Sequence, residues 1–190
     1  NGGSSPYTFD ETYRGPSAGS EPEIQAVMTL MTREGCFRTA LNYHSYSNLW
    51  IYPWGYVNEN TPDSVVYRDL AEEITDYNGY SYGTGMETVG YVSNGDSDDW
   101  MYGDALCFAF TPEVGEWFWQ SDTATIVQQF NSNLMPNIMT AQAAGVVGRG
   151  GGGMLADLTG ARPVLTGLGL GAGPAGLALL LAGPGWPGLL

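Results

Sequence analysis

The chain has 190 residues, 43% of them apolar and 13% aromatic, which suits one domain with a substantial core and is too short for two ordinary ones. Twenty acidic residues stand against six arginines and no lysine, a net charge of −14 that repels nucleic acid and anionic membranes and argues against either as a partner. The same field draws cationic peptides and metal ions, although it also serves solubility alone.

Asn1 stands first in place of Met, and no charged-then-apolar segment opens the chain, so the expectation is a beginning removed by processing or truncation. Residues 1–19 are rich in Gly, Ser and Pro, lack an apolar period and read as loop. Ser20 and Glu23 form a capping-box pattern, Pro22 suits a first helical turn, and Ile24, Val27, Met28 and Met31 fall on one helical face, with Gly35 as the stop. Residues 37–43 then read as a short buried strand that delivers His44 at its carboxyl end.

A second helix is expected over 63–78, with Val66, Leu70 and Ile74 on its inner face and Gly79 after it. Residues 80–104 are dense in Gly, Asp, Ser and Tyr and suggest a structured loop, with a possible short strand at 86–91. Residues 106–111 form a compact apolar run, a core strand leading into Pro112 and Glu113. A last helix is expected over 137–147, entered through Pro136. Strands alternating with helices indicate an α/β class with a mixed, largely parallel sheet flanked by helices, in which ligands bind at the carboxyl ends of strands. His44 and Glu113 both fall there.

From residue 148 the composition changes: 14 of 43 residues are Gly and charges nearly vanish. The domain division is therefore 1–147 and 148–190, the second part read as a disordered low-complexity tail or out-of-frame translation. A membrane anchor over 165–183 is the lesser alternative, since Pro174 and six glycines make a poor spanning helix.

His44 is the only histidine. A lone histidine after an apolar strand also suits a hydrogen-bonded core residue, and a hydrolytic zinc site needs three protein ligands, so either the metal is absent or its other ligands lie outside these 190 residues. Glu113 closes an apolar strand, where a carboxylate is costly unless paired or bonded, although an exposed position just past the strand is equally compatible. GYVSNGDSDDW, residues 90–100, gathers Asp96, Asp98 and Asp99 around a turn; a solvated acidic loop or a calcium site is the alternative, without the full calcium-loop spacing. Cys36 and Cys107 lie outside any zinc-finger spacing. Each precedes a strand-like run, and two parallel neighbouring strands starting there would bring the sulfurs close, so a disulfide and two buried thiols both stay open.

The ordered series ETYRG at 11–15, SEPE at 20–23, HSYSNLWIYPWGY at 44–56, GYVSNGDSDDWMYG at 90–103 and FAFTPE at 108–113 resembles the second half of the zinc carboxypeptidases of the A and B type, the bacterial members above all. The resemblance covers 1–147. It implies that His44 is a zinc ligand, the third of the set, and that Glu113 is the general base acting on a zinc-bound water. Tyr91 matches the mobile tyrosine that closes over the substrate's terminal residue. Ser45 and Tyr46 match substrate subsites, and Thr111 a wall of the specificity pocket. Asp98 matches the pocket floor, where an acidic residue selects basic side chains; in an extended loop Asp96 would face the same way, and Asp99 the opposite.

The chemistry so implied is metal-assisted hydrolysis with one Zn2+ ion, in a secreted monomer acting on peptide or protein C-termini. The family's His-x-x-Glu ligand pair and its Asn-Arg carboxylate clamp do not occur in the chain. The implied reading is half of a catalytic domain, inactive alone. A cell-wall peptide carboxypeptidase of the same family and a non-catalytic binding module are the alternatives.

Overall fold

The structure is a computed structural model that describes residues 3–34, 37–145 and 147. Its elements run α1 (Pro22–Glu34), β1 (Thr39–Leu41), β2 (Leu49–Ile51), α2 (Ser64–Thr75), β3 (Ser81–Gly83), α3 (Gly85–Thr88), α4 (Ser97–Gly103), β4 (Phe108–Glu113) and α5 (Thr123–Ala143). The strands form one four-stranded sheet in the order β1-β4-β2-β3. β1 pairs with β4 and β2 with β3 in parallel, whereas β2 and β4 run antiparallel. The sheet is mixed, largely parallel and flanked by helices, as the alternation of strands and helices led us to expect.

β4 organises the core because successive side chains of a strand point to opposite faces. Phe108 and Phe110 meet the buried Tyr67 of α2, with ring centroids 4.9 and 5.2 Å away. Tyr52 stacks on the same ring at 5.3 Å and Tyr102 meets it edge-on at 5.4 Å. Cys107 and Ala109 instead join Met31 of α1 and Met101 of α4 in a second cluster. Tyr67 also accepts a hydrogen bond from the Ala109 backbone N–H through its hydroxyl, at 3.3 Å. Tyr67→Phe leaves that buried N–H without this acceptor and is expected to cost about 1–3 kcal/mol, measured as a lower denaturant midpoint at unchanged slope.

Several elements differ from the sequence reading. Pro22 lies in the first turn of α1 as expected, but the helix starts there, and Ser20 donates its hydroxyl to Glu21 in place of forming a capping box with Glu23. Of its apolar stripe only Met31 is buried, while Ile24 and Val27 are exposed. Residues 86–91 are not a strand. Thr84 and Glu87 form a full capping box that opens α3, and this local pair outweighs the apolar run. Residues 97–103 form the helix α4 where an extended loop was expected, because Asp96 caps it by accepting the Asp98 N–H at 3.0 Å.

α5 starts at Thr123, fourteen residues before the expected 137, with the Asp122 carboxylate accepting the Thr125 N–H at 2.9 Å. Pro136 sits inside it and removes one backbone bond. Side chains bond the backbone on either side: Asn137 donates to the Asn133 carbonyl at 2.9 Å and Thr140 to the Pro136 carbonyl at 2.9 Å. β2 and β3, which the sequence reading did not anticipate, complete the sheet. The 148–190 tail and its membrane-anchor alternative lie outside the described residues; among those described, no helix is long and apolar enough to cross a membrane.

Candidate active site

The register of β1 against β4 brings the candidate pair together. Past the end of β1 the His44 N–H donates to the Pro112 carbonyl, and the Val114 N–H donates to the His44 carbonyl, both at 2.9 Å. His44 and Glu113 thus form a parallel bridge in the same register, three residues beyond the last regular ladder pair, Leu41 with Phe110. Their side chains meet: His44 Nδ1 lies 3.1 Å from Glu113 Oε1 and 3.3 Å from Oε2, and 3.2 Å from the Ser45 carbonyl. The imidazole is 66% exposed and the carboxylate 14%. Burial raises the Glu113 pKa above its usual range, and the neighbouring His44 opposes that rise. A carboxylate held at a strand end by two backbone bonds is positioned without needing a long flexible tether.

The loop after His44 is fastened to the segment after Glu113. The Ser47 N–H donates to the Gly115 carbonyl at 2.8 Å, and the Gly115 N–H donates to Asn48 Oδ1 at 3.0 Å. Ser45 and Tyr46 are thereby held beside the pair, Tyr46 being about half exposed. Tyr91 is exposed on the loop after α3, where Gly90 adopts a positive φ of 80°. That loop is held at Ser93, whose N–H donates to the Gly55 carbonyl at 2.9 Å.

A second cluster lies on the face of β4 opposite α2. Asp98 is 2% exposed, accepting from the Thr111 hydroxyl at 2.8 Å and from the Asn42 amide. Burial first, and then the charge of Asp96, push its pKa up to about 8, while its two donors pull the other way. Asp99 points elsewhere, its two oxygens accepting the Gly55 and Tyr56 N–H groups at 2.8 and 2.9 Å. Asp96 is engaged at the start of α4, so the geometric premise for placing it with Asp98, an extended chain, does not hold. Asn42 escaped the sequence reading. Its signal was a lone amide in the run TALNYH, two residues before His44.

Cys107 is buried with a free thiol whose pKa burial raises to about 12, and Cys36 lies outside the described residues. The strand part of the expectation stands, since β1 and β4 are parallel neighbours with Thr39 opposite Phe108.

Zinc takes three protein ligands in a hydrolytic site. His44 is the chain's only histidine, and among the described residues no group of three or more His, Cys, Asp or Glu side chains could hold a metal. One imidazole beside one carboxylate does not fit the ion without further ligands.

A family model described as zinc carboxypeptidase matches residues 1–131. The chain belongs to the zinc carboxypeptidase family. Carboxypeptidase A1 of Rattus norvegicus is 33% identical over 118 residues, 59% of this chain and 28% of that protein. Carboxypeptidase B of Homo sapiens is 34% identical over 119 residues, again 59% and 28%. The chain therefore spans less than a third of the length of these curated relatives.

Among solved structures, bovine thrombin-activatable fibrinolysis inhibitor in complex with tick carboxypeptidase inhibitor is similar with a TM-score of 0.68. Its identity is 24%, over 75% of this chain and 51% of that one. Carboxypeptidase A from Helicoverpa armigera gives a TM-score of 0.65 at 20% identity, over 77% and 40%. These likenesses show the fold.

Proposed function

We propose that this chain carries part of the catalytic domain of a zinc-dependent metallocarboxypeptidase that removes C-terminal residues from peptides and proteins, preferring basic ones. The observation that carries the reading is the contact of His44 with Glu113 at 3.1 Å on adjoining strand ends of a family member's sheet. Glu113 is the general base: it takes a proton from the water whose oxygen attacks the scissile carbonyl, and returns it to the amine nitrogen as the C–N bond breaks. A pKa raised by burial suits a group that must both accept and release that proton near neutrality. His44 is one metal ligand, and the remaining ligands come from polypeptide beyond these 190 residues, so the chain alone is inactive.

Asp98 is the specificity residue, Thr111 its hydrogen-bonding neighbour on the pocket wall, and Tyr91 the exposed residue that closes on the substrate. Asp96 adds negative charge beside the pocket, and Ser45 and Tyr46 contact the residues before the scissile bond. A basic preference also agrees with the net charge of −14, which attracts cationic peptides. The protein so described works outside the cell as a monomer.

The reading is tested by comparing hydrolysis of peptides that differ only in a C-terminal Arg, Phe or diamino acid, using a form that contains the remaining ligands. The Arg peptide is expected to be cleaved fastest. A faster Phe rate removes Asp98 from its role, and a faster diamino-acid rate moves the substrate class to cell-wall peptides.

A further inference from the structure

We propose that a second cleft, separate from the His44 and Glu113 pair, binds neutral carbohydrate. The cleft encloses about 450 Å³ between the turn after α2, the segment following Glu113 and the first half of α5. Amides from Asn48, Asn78, Gln128 and Gln129 line it, together with the Glu116 carboxylate and the Trp117 indole. Small-molecule pockets are ordinarily lined mostly by apolar groups, so a wall this rich in amides selects a polar ligand. Among the described residues no arginine lines it, and Glu116 is the charged side chain there, which disfavours phosphates and acidic sugars. Sugar hydroxyls each donate and accept, and amides offer both capacities side by side. The indole supplies a flat apolar face for the C–H side of a sugar ring.

The wall is built before any ligand arrives. Asn48 holds the Gly115 N–H at 3.0 Å, and Gly115 has a φ of +84°. A Cβ there would lie 2.4 Å from the Gln129 side-chain nitrogen, so the glycine lets that amide approach the backbone. Asn78 donates to Asn133 at 3.1 Å, and Asn133 donates to the Tyr80 hydroxyl at 2.9 Å, fixing the opposite side. Fixed donors and acceptors lower the ordering cost of binding.

At the rim Trp117 is 67% exposed, and Phe118 and Trp119 follow it, also exposed. Three consecutive aromatic residues facing solvent give the core nothing and mark an interaction surface. A peptide bound as an added strand is the less suitable occupant. It needs a free backbone edge, and here the Ser47 N–H with the Gly115 carbonyl, and the Gly115 N–H with Asn48, are already paired.

The test titrates the 190-residue chain with cellotetraose and with the N-acetylglucosamine tetramer, following tryptophan fluorescence and heat of binding. An oligogalacturonate and a capped neutral peptide serve as comparison probes. Saturable binding of a neutral tetrasaccharide is expected, weakened by about tenfold or more in Trp117→Ala and in Gln128→Ala and unchanged in Trp119→Ala. Gln128 is an exposed helix position, so that variant decides the matter even where Trp117→Ala misfolds. The proposal is overturned if neither tetrasaccharide binds, if both variants bind as the parent does, or if the acidic sugar or the peptide binds more tightly. Because neither metal nor turnover enters the measurement, its outcome is independent of the peptidase reading.

Discussion

Glu113→Gln is expected to lower kcat by about 10²–10⁴-fold in a form with a complete catalytic centre, with KM for a basic-ended peptide little changed. The substitution keeps the shape of the side chain and its place at the end of β4 while removing the ability to accept a proton. Backbone bonds from His44 to Pro112 and from Val114 to His44 hold both strand ends whatever residue 113 carries, so the geometry survives the change. The parent's pH–rate profile should show an acid limb above the usual Glu range, because burial raises this carboxyl's pKa. Activity rises on that limb as the proton is lost, and the variant's residual activity should lack it. Unaltered turnover in Glu113→Gln would remove the residue from the reaction.

Asp98→Asn should raise stability at alkaline pH while reducing the preference for basic residues. The sign follows from linkage. The folded-state pKa is about 8 against an ordinary 3.8, so the folded protein holds this proton more tightly than the unfolded chain does. The resulting stabilisation is complete below pH 3.8 and is lost as pH rises to about 8. A difference of that size is worth at most on the order of 6 kcal/mol. Asp99, raised to about 6 by burial, adds a smaller contribution of the same sign.

Asn at position 98 keeps an acceptor for Asn42 and lets the Thr111 hydroxyl turn to accept, without burying a charge. Its denaturant midpoint should therefore fall less between pH 5 and pH 9 than the parent's. Loss of a charge-assisted bond to the substrate should cut the ratio of Arg to Phe hydrolysis about 10–100-fold. In the parent that ratio should itself grow as pH approaches 8, where Asp98 ionises. Equal pH slopes for the two proteins would show that Asp98 does not titrate as argued.

Such a trade, with stability spent to keep a buried acid in place, is a common mark of a functional position. The bonds from Asn42 and Thr111 explain how the site tolerates Asp98, because they satisfy both oxygens in the absence of a substrate cation.

The two strand ends were legible from the sequence because each strand-like run leads into a polar residue: 37–43 into His44, and 106–111 into Pro112 and then Glu113. Their side-by-side placement was not. Adjacency of β1 and β4 is a pairing across some seventy residues, and only the parallel register puts Nδ1 of one opposite the carboxylate of the other. β2 and β3 have three residues each, too few to show a period of their own, and owe their strand state to the neighbours that complete their hydrogen bonds.

α5 was hidden by its composition, since Gln128, Gln129, Asn131, Asn133 and Asn137 break the apolar period and Pro136 looks like a beginning. Tertiary contacts from Met139 and Ala143, and hydrogen bonds from Asn133, settle it as one helix. Likewise three aspartates in a turn read as an acidic loop, until the Asp96 cap turns 97–103 into a helix and sends Asp98 inward to Asn42 and Thr111. Sequence alone determined which residues are candidates for chemistry, and that His44 follows one strand and Glu113 closes another, because side-chain type and short apolar runs are local. Which of those residues meet was decided by strand register and helix capping, which bring together positions far apart along the chain.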